Sequence, residues 1–213
     1  MKAGVASLQE NWREAPEPLP LAGMLATIAA GPARATPQMF VFRDALEREG
    51  SAATFGAVVG ALARVPLAAP FYVIVGGPSG EGVVMARNLT ASEGTTTLSG
   101  GGGLPFLVQT NYDHWLPDPP TDPRRTHAEA MLSQITHAES AASGQASAPA
   151  APPPSLTSID LFAVASAYPV HNPHTAYTAI LEPATGALVA YVRDALCPAA
   201  GSPLAHADAR YCL

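Results

Sequence analysis

Phe71 to Asn88 reads FYVIVGGPSGEGVVMARN, two apolar runs around a glycine-rich middle. Phe71 to Val75 and Gly82 to Arg87 carry the β-branched and large apolar side chains that fill a pleated, half-buried surface. Between them, Gly76, Gly77, Pro78, Ser79 and Gly80 are turn formers, so the stretch predicts a β-hairpin. Outward on the N-terminal side, about Ala52 to Arg64 predicts a helix that ends before Pro66. Before it, Thr36-Pro37 is a helix start, with proline in the first turn, and that helix runs to about Glu49 before Gly50 stops it. Downstream, Leu104 to Gln109 predicts a further strand. Thr126 to Ala138 and Thr157 to Ala167 predict helices, and Ala176 to Leu181 with Ala187 to Arg193 a second hairpin around Pro183-Ala184-Thr185-Gly186. Helices and antiparallel hairpins in separate runs make an α+β chain; periodicity alone does not choose its topology.

Composition narrows the partners. The 213 residues are 48% apolar and 13% charged, enough for a core. A net charge of −6, with 11 Lys and Arg that form no run, disfavours a nucleic-acid partner and an electrostatic membrane patch. No apolar run approaches the ~20 residues of a membrane span. Leu19 to Ala30 is too short for a signal peptide and has no basic region directly before it. Ser140 to Ser155 (SAASGQASAPAAPPPS) is low complexity and predicts a flexible insert spanning 140–155. Gly100 to Gly103 suits a wide turn; no helix start or Lys-Ser follows, so it is no phosphate cradle. The expected organisation is a domain over 1–194 with that insert, then an irregular tail over 195–213. Cys197 and Cys212 are compatible with a small disulfide loop or with two free thiols, and both stay open. His171 and His174 have HxxH spacing, but with Pro173 between them, no helix and no third ligand, a metal site is not expected. Asn88-Leu89-Thr90 is an N-glycosylation sequon, a weak signal.

A polar cluster stands out after the predicted strand. Leu107 to Trp115 reads LVQTNYDHW, and Thr121 to Thr126 reads TDPRRT. Side chains at the end of a strand are well placed to meet a ligand. A fixed side-chain NH₂ from Asn111 can stabilise an oxyanion; the bland alternative is a turn asparagine bonding its own backbone. On a strand, Tyr112 and His114 would face away from Asn111, so they are expected to support the site or the fold.

These strings resemble the acid ceramidase and N-acylethanolamine acid amidase family, lysosomal N-terminal-nucleophile hydrolases that cleave linear fatty-acyl amides. The resemblance runs in order from about Lys2 to Asp194. It takes in Ser7 to Asn11, Phe40 to Leu67, the Phe71 to Asn88 hairpin, Tyr168 to Thr178 (YPVHNPHTAYT) and Tyr191 to Asp194. It implies an α+β fold that is the later part of an αββα sandwich, incomplete at the N-terminus, and a chain that is the C-terminal part of a β-subunit. It implies cleavage of N-acylsphingosine (ceramide) or N-acylethanolamine to fatty acid and amine through a cysteine thioester. Asn111 matches the family's oxyanion donor, Arg124 its active-site arginine, and Glu10 an acid expected to share the arginine's polar network. Asp122-Pro123 departs from the family's usual Asp-Asp and puts the local geometry in doubt. The ceramidase branch carries a close cysteine pair in its tail, which favours a bridge in an oxidising compartment.

The family's nucleophile is a cysteine exposed by processing as the first residue of the mature subunit, with its own α-amino group as base. This chain opens Met1-Lys2-Ala3-Gly4 and holds its two cysteines near the other end. By itself it is therefore expected to be inactive. The resemblance implies no metal or organic cofactor. Its expected partners are the lipid-amide substrate and the missing N-terminal part or α-subunit of the precursor, with peripheral membrane contact allowed. The expected compartment is the lysosome or another acidic, secretory one, with the signal outside this chain. A second hypothesis is a non-catalytic paralogue that binds a lipid or a partner subunit.

Overall fold

The computed structural model describes residues 1–13, 37–47, 53–98, 105–142 and 156–192, with isolated helical positions at 22, 25, 26 and 29. The four-glycine run, both cysteines, the tail and nearly all of the 19–30 segment lie outside the described residues, as does the insert beyond residue 142. The described part sorts into two compact units. The first is Met1–Pro117 with Leu181–Ala187, and the second is Asp118–Ile180 with Leu188–Leu213.

The first unit is built on a four-stranded antiparallel sheet in chain order. Its strands are β1 (Ser7–Trp12), β2 (Phe71–Gly76), β3 (Gly82–Arg87) and β4 (Ser92–Thr97). The predicted hairpin is the β2–β3 pair, with Phe71 opposite Arg87 and Gly76 opposite Gly82. Gly80 takes a φ of +83° in its turn, a left-handed conformation that a side chain would oppose. The central strands are buried on both faces, whereas β1 and β4 are polar edge strands, SLQENW and SEGTTT. Propensity does not reveal such edges, because their stability comes from pairing with β2 and β3 rather than from apolar side chains.

Two helices cover one face of the sheet. They are α1 (Gln38–Glu47) and α2 (Phe55–Arg64). Pro37 starts α1 with its carbonyl, which accepts from Val41 N–H at 3.2 Å, and Thr54 caps α2 by accepting from Ala57 N–H at 3.2 Å. Val41, Ala45, Val58 and Leu62 meet Phe71, Val73, Val75, Val83 and Met85 in a single buried cluster. Full burial of such a side chain contributes roughly 1.5–3 kcal/mol.

Arg87 belongs to this core and is 0% exposed. It donates to the Leu62 carbonyl and, at 2.7 Å, to the Val65 carbonyl, so it caps the C-terminal turn of α2. Burial pushes its pKa down from the usual arginine value. Arg87→Met would leave two buried carbonyls without donors. The expected loss is about 1–3 kcal/mol in urea unfolding, the penalty for an unsatisfied group, partly offset by relief of the desolvated cation. A variant as stable as wild type would show that the cap is not needed.

The predicted strand at Leu104 to Gln109 is corrected. Residue 104 is not described, and 105–110 form no strand. This segment runs over the other face of the sheet, where Leu107 packs with Ile74 on Tyr72, Val84 and Ala86. Side chains take its carbonyls: Asn11 Nδ2 donates to Gln109 O, and Gln109 Nε2 to Thr110 O and Tyr112 O. The apolar run packs across the sheet face through Leu107 instead of adding to the sheet's edge.

The second unit holds α3 (Arg124–Ala142) and α4 (Ser158–Ser166), which pack on each other. Helix α3 extends past the predicted Ala138 to Ala142, three residues into the low-complexity stretch. Arg125, Ala128, Leu132 and Thr136 make its buried stripe at helical spacing. A capping box of Thr157 and Asp160 sets the start of α4. The second predicted hairpin is the pair β5 (Tyr177–Glu182) and β6 (Ala187–Val192), with Gly186 at a φ of +80° before β6.

Candidate active site

Strand β1 ends at Trp12, and Arg13 follows it into the interior. Here β1 and the signature segment exchange side-chain hydrogen bonds at three consecutive alternate positions of that segment. Asn11 Nδ2 donates to Gln109 O at 3.0 Å, and Asn111 Nδ2 donates to Trp12 O at 2.8 Å. Arg13 donates to Asp113 through Nε at 2.7 Å and Nη2 at 2.9 Å, a bidentate pair. Tyr72, opposite Asn11 in the β1–β2 register, adds its hydroxyl to Asp113 Oδ1 at 2.8 Å. Glu93 of β4 takes a further bond from Arg13 Nη2 at 2.5 Å, and Asn88 Nδ2 donates to Glu93 at 3.0 Å. The guanidinium lies between two rings, with Cζ 5.8 Å from Trp115 and 5.9 Å from Tyr72. Trp115 in turn lies against Gly94, where an added Cβ would strike the indole.

The centre of the cluster is almost dry: Arg13 is 2% exposed, Asp113 3% and Tyr72 0%. Its electrostatics follow from that burial. Hydrogen bonding to Asp113 raises Arg13, against the cost of burial, with Glu93 adding to the rise. Burial, reinforced by the bond to Asp113, pushes the Tyr72 hydroxyl well up. Burial pushes Asp113 up, but the bonds from Arg13 and Tyr72 and the charge of Arg13 outweigh it, leaving the carboxyl below its usual value. Glu93 is lowered by its bonds from Arg13 and Asn88.

A carboxyl lowered in the folded state contributes stability that is present above its unfolded pKa, about 4, and lost as pH falls through the lowered value. Stability from Asp113 and Glu93 is therefore expected to hold from neutral pH to about pH 5 and to fall below about pH 4. Urea unfolding across pH checks this, and Asp113→Asn is expected to flatten the acid limb. An unchanged acid limb in that variant would count against the assignment.

The expected site residues are placed as follows. Asn111 stands at a bend, not on a strand, so the alternation expected for Tyr112 and His114 does not apply. Glu10 is exposed on β1, across from Val73, on the sheet face opposite Asn11 and Tyr72. Arg124 belongs to the second unit and opens α3, where Asp122 Oδ1 and Oδ2 each accept from it at 2.6 Å. That acid at the helix N-terminus offsets the unfavourable placement of a cation there. Arg125 pairs with Asp118 at 3.1 Å, and Asp118 also accepts from Thr126 N–H at 2.7 Å. The expected Glu10–Arg124 pairing joins residues of different units. Within the second unit, Arg124 lines a cleft of about 820 Å³ with His127, Tyr168, Asn172 and His174. Asn172 shapes its rim by accepting from His174 N–H at 3.0 Å.

Sequence reasoning passed over Arg13, Tyr72 and Glu93. Arg13 and Asp113 are 100 positions apart, so no local spacing links them. The one available signal was an Asp inside the signature with no Lys or Arg near it in sequence to pair with. Asn88 of the sequon accepts from Thr90 and Ala91 N–H in the β3–β4 turn, and its amide nitrogen binds Glu93. Among the described residues, no group of three His, Cys, Asp or Glu could hold a metal, and no helix is long and apolar enough to cross a membrane.

No protein-family profile matches the chain. It is similar to the N-acylethanolamine-hydrolyzing acid amidase of Oryctolagus cuniculus, 39% identical over 153 residues, covering 71% of this chain and 37% of that protein. The Mus musculus enzyme of the same name is 37% identical over 162 residues, 76% of this chain and 39% of its own length. The acid ceramidase of Heterocephalus glaber is 32% identical over 163 residues, 76% and 36% respectively. The chain thus spans little more than a third of these relatives. A solved Caenorhabditis elegans N-acylethanolamine-hydrolyzing acid amidase ortholog shares the fold, with TM-score 0.59 and 24% identity over 85% of this chain and 68% of that one.

Proposed function

The chain belongs to the family of N-acylethanolamine-hydrolyzing acid amidases and acid ceramidases, and from that membership we propose that it is the C-terminal part of a lipid-amide hydrolase. Its described strands and helices are read as the later part of an αββα sandwich. The 1–194 domain and the 195–213 tail are kept as its organisation. The substrate is an N-acylethanolamine or an N-acylsphingosine, and the products are a fatty acid and an amine.

The observation that carries this reading is the 32–39% identity to these relatives over some three quarters of the chain. The attacking thiol is read as an N-terminal cysteine contributed from outside the 213 residues, because the mechanism uses that residue's own α-amino group as base. Attack on the amide carbon forms a C–S bond and places negative charge on the carbonyl oxygen. Collapse expels the amine, which takes up a proton, and water then attacks the thioester to release the fatty acid. Asn111 supplies an N–H to the oxyanion. Arg124 and Glu10 are the further site residues that the family resemblance implies. The missing N-terminal part or α-subunit is its partner, and an acidic compartment is its site of action. A carboxylate cluster that stays ionised at pH 5 fits that setting.

The test is made on the protein purified from its source. The N-terminus of its mature subunit is sequenced, and hydrolysis of an N-acylethanolamine and of an N-acylsphingosine is followed at pH 5. An N-terminal cysteine with release of fatty acid is the expected result. Binding of either lipid without hydrolysis would instead establish the non-catalytic paralogue.

A further inference from the structure

We propose that Asp113 is a positioning residue: clamped by Arg13 and Tyr72, it holds the Asn111 amide in the orientation that catalysis needs. This rests on the reading of Asn111 as the oxyanion donor.

The 105–117 segment has no ladder to hold it. A bend fixed by backbone turns alone would leave an exposed-edge asparagine several rotamers. Instead three side-chain rungs tie the segment to the end of β1: Asn11 to Gln109, Asn111 to Trp12, and Arg13 to Asp113. The last rung is the strong one. It is charged, bidentate, buried and joined by a second donor from Tyr72. Asp113 is two residues from Asn111, and Arg13 directly follows the residue whose carbonyl Asn111 meets. The Asp113 rung therefore limits the spacing between Asn111 and Trp12 from both sides at once. The bond to the Trp12 carbonyl fixes the position of the amide nitrogen and leaves the group only rotation about that bond, which narrows the directions its N–H groups can take. A donor aimed in advance is what oxyanion stabilisation requires. Tyr72, at 0% exposure, anchors the clamp to the buried centre of the sheet.

The experiment uses protein expressed from its complete native reading frame and a fluorogenic N-acyl amide as probe. Tyr72→Phe keeps the ring and removes one bond to Asp113, so it tests the clamp without emptying the core. It is expected to lower kcat about tenfold, the worth of one hydrogen bond to a charged group, with KM unchanged. In an Asn111→Ala background the same change is expected to cost nothing further, because the group it positions is gone. Equal losses in both backgrounds, or no loss in either, would overturn the proposal.

Hydrogen–deuterium exchange of the 105–117 peptide is measured on the same proteins and gives a readout besides activity. Faster exchange in Tyr72→Phe is expected, and unchanged exchange would overturn the clamp. Should Asn111→Ala leave kcat unaltered, or the wild type turn over no amide, the functional reading fails instead. The exchange measurement then decides the clamp by itself.

Discussion

Alanine at Asn111 is expected to lower kcat for amide hydrolysis by about 10²–10³, with little change in KM. Amide cleavage passes through a tetrahedral intermediate whose oxygen carries a full negative charge that the ground-state carbonyl lacks. A donor aimed at that oxygen stabilises the transition state far more than the bound substrate, so its loss appears in kcat. Removing one such donor costs ~2.7–4 kcal/mol in enzymes that use them. Asn111 stands at the surface end of the clamp and donates to a backbone carbonyl, so its removal is not expected to disturb the core. Steady-state kinetics on the source protein and its variant check this. A rise in KM with kcat intact would mean that Asn111 binds substrate uniformly and is not an oxyanion donor.

Alanine at Asp113 is expected to have the largest effect on stability, about 3–5 kcal/mol. The carboxylate is 3% exposed and its partner Arg13 2% exposed. Truncating the acid leaves a buried guanidinium whose remaining acid is Glu93, a side chain 40% exposed to water. For a chain of this size the change corresponds to a fall in Tm on the order of 10 °C. The double variant Arg13→Met/Asp113→Leu removes both charges together and is expected to recover much of that loss, since packed apolar groups often replace a buried pair at little cost. Thermal and urea unfolding of the single and double variants form a cycle. An Asp113→Ala protein as stable as wild type would show that the pair contributes nothing to folding.

Much of the fold was legible where a residue's own chemistry dictates its local structure. Pro37 and Thr157 marked helix starts, Pro66 marked a stop, and the Phe71–Asn88 pattern of runs and glycines is the observed hairpin. The strands that sequence reasoning missed, Ser7–Trp12 and Ser92–Thr97, are polar edges whose order comes from neighbours already formed. The error at Leu104 to Gln109 has the opposite cause. An apolar run reads as a strand, but here it lies across the sheet face, where Leu107 packs on Tyr72, Val84 and Ala86.

The candidate site divides along the same line. Asn111, Arg124 and Glu10 could be named from the sequence because motif resemblance attaches to residue types at fixed spacing. The acid that holds Arg124 turned out to be its near neighbour Asp122. The sequence by itself thus determined the family, the α+β class, the hairpins and the polar signature, all of which rest on patterns a few residues long. Only the tertiary structure decided that Asp113 is a buried carboxylate held by Arg13 and Tyr72, and that Asn111 is pinned to the end of β1. Those contacts bridge 41 to 100 positions of chain. Chain closure over such lengths is determined by the whole core and leaves no mark on local spacing.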